Sequence, residues 1–209
     1  MIQTKAIRVP SRNRSGPVTF DDFCSLVADG QKADLINGVI YMASPDNTDA
    51  GDLFVWLITI LYDYCELHDL GKVYGSRIAF KLDEKNSPEP DIAVVLKDHL
   101  ERVERGHVLG PADLAIEIVS PESVERDYEK KRNLYEKFAF PEYWIIDEEL
   151  QRVTLLRLGR KGYAEVRPRK GVLASKVLPG FWLRPEWTWQ QPRRRKADVL
   201  ADILAGVPR

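Results

Sequence analysis

Apolar positions along this chain recur in two periods, one helical and one alternating, and the switches between them outline a protein of mixed α and β structure. Thr19 precedes an apolar stretch over residues 20–28 with Asp21 and Asp22 in its first turn, which predicts a capped short helix stopped by Asp29-Gly30. ADLINGVIYMAS then sets Asn37-Gly38 between two apolar segments and predicts a β-hairpin, with a loop at Ser44, Pro45, Asp46 and Asn47. Over residues 49–68, Leu53, Trp56, Leu57, Ile60, Leu61 and Tyr64 recur at helical spacing, and Gly71 follows as a helix end requires. KVYGSRIAFKL reads as a strand, DEKNSPEP as a loop and DIAVVL as a buried strand. A short charged helix near residues 97–104 and the loop GHVLGP lead to a third buried strand, DLAIEIV. SPES turns the chain into an amphipathic helix over residues 124–138, and EYWIID is the next strand.

Beyond Glu149 the pattern shortens to RVTLLRL, GYAEVRP and a last stretch ending at GFWLRPEW. This order predicts an α/β fold, a mixed β-sheet core flanked by helices, with the β-rich C-terminal part extending the sheet. The 209 residues suit one ordinary domain, and 44% hydrophobic content with five Trp supplies a sizeable core. Residues 1–16 read as a loose N-terminal arm, 17–189 as the domain, and 190–209 as a basic tail with a short helix, DVLADILAG, that either packs back or meets a partner.

Charge changes the picture because it is unevenly spread. Lys plus Arg number 31 and Asp plus Glu 32, so the whole chain carries −1 and is not a uniformly basic nucleic-acid coat. Residues 150–209, however, hold 14 basic residues against 4 acidic, leaving a carboxylate-rich body and a basic end suited to polyanions or to solvation alone. The two cysteines, Cys24 and Cys65, sit in apolar helix-like stretches and read as reduced, core-packed thiols. With no apolar leader at the start and no apolar run beyond the ten residues 53–62, the chain reads as a cytoplasmic protein that spans no membrane.

The residues that carry chemistry are carboxylates placed in apolar strands. Asp91 opens DIAVVL and Glu117 interrupts DLAIEIV, and a buried carboxylate needs a partner or a metal. Either acid could instead sit at a wet strand end. Together on neighbouring strands they would form half a cage for a hard divalent cation, completed by water and substrate phosphate. Asp127, Lys131 and Tyr135, spaced i, i+4 and i+8, share one face of the following helix, either as an ordinary intrahelical pair or as a source of a cation for that cage. Asp34, in the first strand of the hairpin, is a further polar candidate. Nucleotide-binding glycine loops, the serine-hydrolase elbow and HExxH are all absent.

Taken in order, ADLINGVIYMASP, PEPDIAVV, PADLAIEIVSPES, RDYEKKRNLYEKFAFPEYWIID and SKVLPGFWL resemble the Uma-type restriction endonucleases, a bacterial branch of the PD-(D/E)XK nuclease superfamily, over residues 20–187. The resemblance implies a restriction-endonuclease-like core. It matches Asp91 to the motif aspartate and Glu117 to the glutamate of the second half-motif. Val119 stands where the superfamily has lysine, and D-x-x-x-K-x-x-x-Y on the next helix makes Lys131 the migrated lysine, with Asp127 and Tyr135 completing that pattern. Two departures stand out. Asp34 replaces the usual glutamate, and DNTDAGD, containing Asp49, replaces a segment that commonly carries histidine.

On this reading the chain is a metal-dependent endonuclease acting on DNA. Asp91, Glu117 and the Ile118 carbonyl hold Mg²⁺ or Mn²⁺ with help from Asp34, Lys131 meets the transition-state charge, and Asp127 or Tyr135 orients Lys131. Arg167, Arg169 and Lys170 are candidate phosphate contacts, and a homodimer would serve cleavage of both strands. Two other classes stay open: a nucleic-acid-binding module that retains the nuclease fold, and an assembly protein using the tail helix with Trp182, Trp187 and Trp189.

Overall fold

Alternation along three central strands decides the architecture, because it sends successive side chains to opposite faces of one sheet. In the computed structural model, which describes residues 16–28, 30–44 and 47–208, the first elements are α1 (Phe20–Leu26) and the hairpin of β1 (Ala33–Ile36) and β2 (Val39–Met42). The arm expected over residues 1–16 lies outside the described residues except for Gly16, as do Asp29, Pro45 and Asp46. A capping box starts α1: the Thr19 hydroxyl accepts from the Asp22 N–H at 3.3 Å, and the Asp22 carboxylate accepts from the Thr19 N–H at 3.1 Å. Asn37 and Gly38 turn the hairpin with φ of 51° and 73°, the left-handed pair that matches strand twist.

α2 (Thr48–Leu67) follows, its first turn capped by the Asn47 side chain. Then come β3 (Gly71–Gly75), β4 (Ala79–Lys81), β5 (Ile92–Leu96), a 3₁₀ turn at Lys97–Arg102, β6 (His107–Leu109) and β7 (Leu114–Ile118). A π-helical turn at Arg126–Lys131 runs into α3 (Arg132–Lys137) and leads to β8 (Glu142–Asp147), β9 (Arg152–Gly159) and β10 (Gly162–Val166). β11 (Leu173–Ala174), β12 (Trp182–Leu183), a 3₁₀ turn at Pro185–Thr188 and α4 (Lys196–Leu204) complete the chain.

The central sheet has six strands in the order β10-β9-β8-β7-β5-β3, antiparallel throughout except for the parallel pair β7 and β8. Ile92, Val94, Leu114, Ile116, Trp144 and Ile146 project to one face, where α2, α4 and the segment around β11 and β12 cover them. Ala93, Val95, Ala115, Tyr143 and Ile145 project to the other, against α3, Phe80 and Phe140. By the same alternation Asp91 and Glu117 fall on this second face.

Two expectations change. KVYGSRIAFKL is not one strand: Arg77, with φ of 73°, breaks it, and β4 leaves the main sheet to pair in parallel with β6, inside the segment expected to be a loop. Of the two cysteines, Cys65 is buried and Cys24 exposed, so only one is core-packed.

The C-terminal extension is tied to the sheet by one buried carboxylate. Glu142 accepts two hydrogen bonds from Arg157 at 2.9 and 3.1 Å, one from the Ser175 hydroxyl at 2.7 Å and one from the Lys176 N–H at 2.7 Å. Trp182, Trp187, Val199 and Ile203 lie in the main core, so the tail helix packs back, and the Trp56 indole donates to the Arg194 carbonyl at 2.7 Å. Arg193, Arg194 and Arg195 of the RRRK run each pair with an acid of this chain.

Glu142→Ala strands the Arg157 guanidinium, the Ser175 hydroxyl and the Lys176 N–H, and lowers unfolding free energy by about 3 kcal/mol in urea titrations. An unchanged denaturation midpoint would show that the extension does not depend on this anchor.

Candidate active site

Local rules bring four separate segments to the second face of the sheet. β1 is held against the loop before Asp91 by paired backbone bonds, Leu35 N–H to the Ser87 carbonyl at 3.0 Å and Ser87 N–H to the Leu35 carbonyl at 2.8 Å. That pairing sets Asp34 beside the PEPD segment, where its carboxylate accepts from the Glu89 N–H at 2.8 Å. Asp91 caps the neighbouring strand, accepting from the Ile118 N–H at 2.7 Å. The connection from β7 to parallel β8 must cross this same face, and it carries the helix with Lys131. The wider π turn, a feature concentrated at functional sites, lets Arg126, Asp127 and Lys131 all face inward.

Lys131 is wholly buried, 3.1 Å from Asp34 and 2.8 Å from Glu117. The Tyr135 hydroxyl donates to the same Glu117 oxygen at 2.7 Å, so this tyrosine orients the glutamate rather than the lysine. Among the described residues Asp127 makes no direct ion pair with Lys131: it accepts from the Ser123 hydroxyl and lies 3.8 Å from Arg126. Arg126 also faces Asp34 at 3.4 Å. Asp91 has a different cation, Lys32, bonded directly to its second oxygen. Asp49 is exposed in the first turn of α2. Arg167, Arg169 and Lys170 are exposed around a cleft of about 460 Å³ at the β10 edge of the sheet.

Sequence reasoning missed Lys32, Glu89 and Arg126. Lys32 precedes Asp34 by two residues and Glu89 precedes Asp91 by two, the spacing that puts extended residues on one side. That signal was present in the chain, whereas Arg126 points inward because of the π turn.

Charge does not balance in this cluster. Asp34, Glu89, Asp91, Glu117 and Asp127 oppose Lys32, Arg126 and Lys131, an excess of two negative charges if all are ionised. Burial pushes Glu117 up to about 8, with Asp91 and Asp127 adding to the rise and Lys131 opposing it. Burial likewise lifts Glu89 to about 7 and Asp127 to about 6. Asp91 and Asp34 go the other way: burial favours their neutral forms, but Lys32 and Lys131 for Asp91, and Lys131 and Arg126 for Asp34, hold them below the ordinary range. Lys131 stays charged against its burial because Asp34 and Glu117 face it.

Asp91, Glu117 and Ile118 line a cavity of about 30 Å³, room for a water or a small ion. Among the described residues no three acidic, histidine or cysteine side chains form a closed cage. Hard oxygen donors from two strands, raised carboxyls whose protons a cation would displace and an opening for further ligands fit Mg²⁺ or Mn²⁺, which keep water and substrate oxygens in their shell. No helix among the described residues is long and apolar enough to cross a membrane.

A mixed sheet with acids on two adjacent strands and a lysine on the crossover helix has the restriction-endonuclease-like fold of nucleases. A solved structure from Anabaena variabilis, described as a putative nuclease belonging to DUF820, superposes with a TM-score of 0.69 at 18% identity, covering 83% of this chain and 98% of that one. Residues 18–186 match the Uma2 family, described as "putative restriction endonuclease", and the chain belongs to that family. No curated protein matches it.

Glu117, Glu89 and Asp127 hold protons more tightly when folded than at their unfolded values near 4. The stability this contributes is complete below about pH 4 and is lost as pH climbs through about 6, 7 and 8. Metal-free protein therefore loses stability from pH 5 to pH 8.5 in urea titrations, and Glu117→Gln flattens the upper part of that decline. Stability that is level or rises over this range would contradict the charge assignment.

Proposed function

We propose that this protein is a divalent-metal-dependent endonuclease that hydrolyses DNA phosphodiester bonds. The observation that carries the reading is the convergence of Asp91 and Glu117, from two strands, on one small cavity, with the helix-borne Lys131 buried behind it 2.8 Å from Glu117. Asp91, Glu117 and the Ile118 carbonyl would hold a divalent ion, which when bound would supply Lewis-acid polarisation of the scissile phosphate and a lowered pKa for a water beside it.

The chain's own residues do the rest. Lys131 is pinned between Asp34 and Glu117, so its ammonium stays charged and fixed where negative charge develops, with little reorganisation during reaction. Asp34, although one methylene shorter than the family's usual glutamate, reaches Lys131 and serves as its second anchor. Tyr135 holds Glu117 through one oxygen and leaves the other for the cation. Asp127 joins Arg126 and Ser123 in closing the cavity wall. The exposed Arg167, Arg169 and Lys170 contact the phosphate backbone away from the reacting bond. A homodimer would present one such site to each strand of cytoplasmic DNA.

Supercoiled plasmid incubated with Mg²⁺ or Mn²⁺ is nicked or linearised by the purified protein, and EDTA or Glu117→Ala abolishes this. Lys131→Met lowers the rate by about 100-fold or more while the protein stays folded. Cleavage that survives EDTA or Glu117→Ala would refute the assignment. DNA binding in EDTA with no cleavage under any metal would mark a binding module on a nuclease fold instead.

A further inference from the structure

The two lysines of the site are held very differently. Lys131 is fully buried and shared by two carboxylates, and it has nowhere to go. Lys32 has one carboxylate partner, Asp91, and its side chain keeps 17% of its exposure. It also stands at a boundary. On one side it lines the small cavity with Asp91 and Glu117, and on the other an open groove of about 510 Å³ shared with Ser44, Phe54, Ser76 and Arg77.

Both oxygens of Asp91 are already engaged, one by Lys32 and one by the Ile118 N–H. A divalent ion that takes Asp91 as a ligand meets the Lys32 ammonium a few ångströms away. Two like charges at such a distance in a half-buried site repel strongly. Four flexible methylenes let the ammonium swing out, and the space beside it is the groove. An ammonium there, near the Arg77 guanidinium, makes an anion-binding wall.

We propose that Lys32 is a resident counter-ion of Asp91 that gives way to the divalent ion and then binds a phosphate of the nucleic-acid strand in the adjoining groove. The inference rests on the metal-site reading above. It makes Lys32 a competitor of the metal when nucleic acid is absent, and a link between the two ligands when both are present. Linkage requires that metal then tighten nucleic-acid binding, and nucleic acid tighten metal binding, by the same factor.

The test measures Mn²⁺ affinity by calorimetry and by the electron-spin signal of free Mn²⁺, without nucleic acid, for the intact chain and for Lys32→Met, Lys32→Gln, Lys32→Arg and Asp91→Asn. Removing the charge in Lys32→Met and Lys32→Gln tightens Mn²⁺ binding by about tenfold or more, Lys32→Arg stays near the parent, and Asp91→Asn weakens it. In a second arm, Mn²⁺ tightens binding of a short phosphorothioate DNA oligonucleotide by the parent protein, and this coupling shrinks in the two neutral variants. Folded neutral variants that bind Mn²⁺ no better than the parent overturn the role of Lys32 while leaving the metal site standing. Absence of Mn²⁺ binding in parent and variants alike overturns both.

Discussion

Eight ionisable groups meet inside one wall of this protein, five carboxyls against three cations, and the fold is arranged around keeping them there. Burying ions costs several kcal/mol each unless geometry returns it, and a cluster with the wrong total charge returns less. The protein answers with cationic partners for Asp34 and Asp91, raised proton affinity for Glu117, Glu89 and Asp127, and a small opening beside Asp91 and Glu117. A core designed for stability alone would hold apolar groups in these positions.

Everything around the cluster serves to assemble it from distant segments. The sheet supplies two acids because alternation puts Asp91 and Glu117 on one face, and antiparallel pairing of β5 with β7 sets Asp91 against the Ile118 N–H. The parallel pair β7 and β8 demands a crossover, which carries Lys131 over that face. The hairpin, clamped to the loop at Ser87, adds Asp34 and Lys32 from the outside. On the opposite face α2 and the C-terminal elements form the larger apolar core, while Phe80, Phe140, Tyr143 and Ile145 pack a second one beside the charged cluster.

How much of this the chain disclosed depends on the range of the forces involved. Strongly periodic segments were legible: the helix over α2, the Asn37-Gly38 hairpin and the strands of DIAVVL, DLAIEIV and EYWIID all stand where local pattern put them. The break at Arg77 and the short pairing of β4 with β6 were not, since both are set by partners far along the chain. Asp34, Glu117, Lys131 and Tyr135 were singled out and form one chain of contacts, Asp34 to Lys131 to Glu117 to Tyr135, but which acid holds which lysine was not legible. Lys32 and Glu89 looked like ordinary polar residues of a strand start and a proline-rich loop. Their two-residue spacing from Asp34 and Asp91 gives each pair a shared side, and the pairing of Leu35 with Ser87 then brings both pairs into the cluster.

We propose that a divalent ion on Asp91 and Glu117 displaces the protons that burial holds on the cluster and balances its carboxylates. Crystals soaked in Mn²⁺ and recorded near the manganese absorption edge test it most directly. The account predicts an anomalous peak about 2.1 Å from carboxylate oxygens of both residues. An empty cavity at saturating Mn²⁺, or a peak held by other side chains, would contradict it.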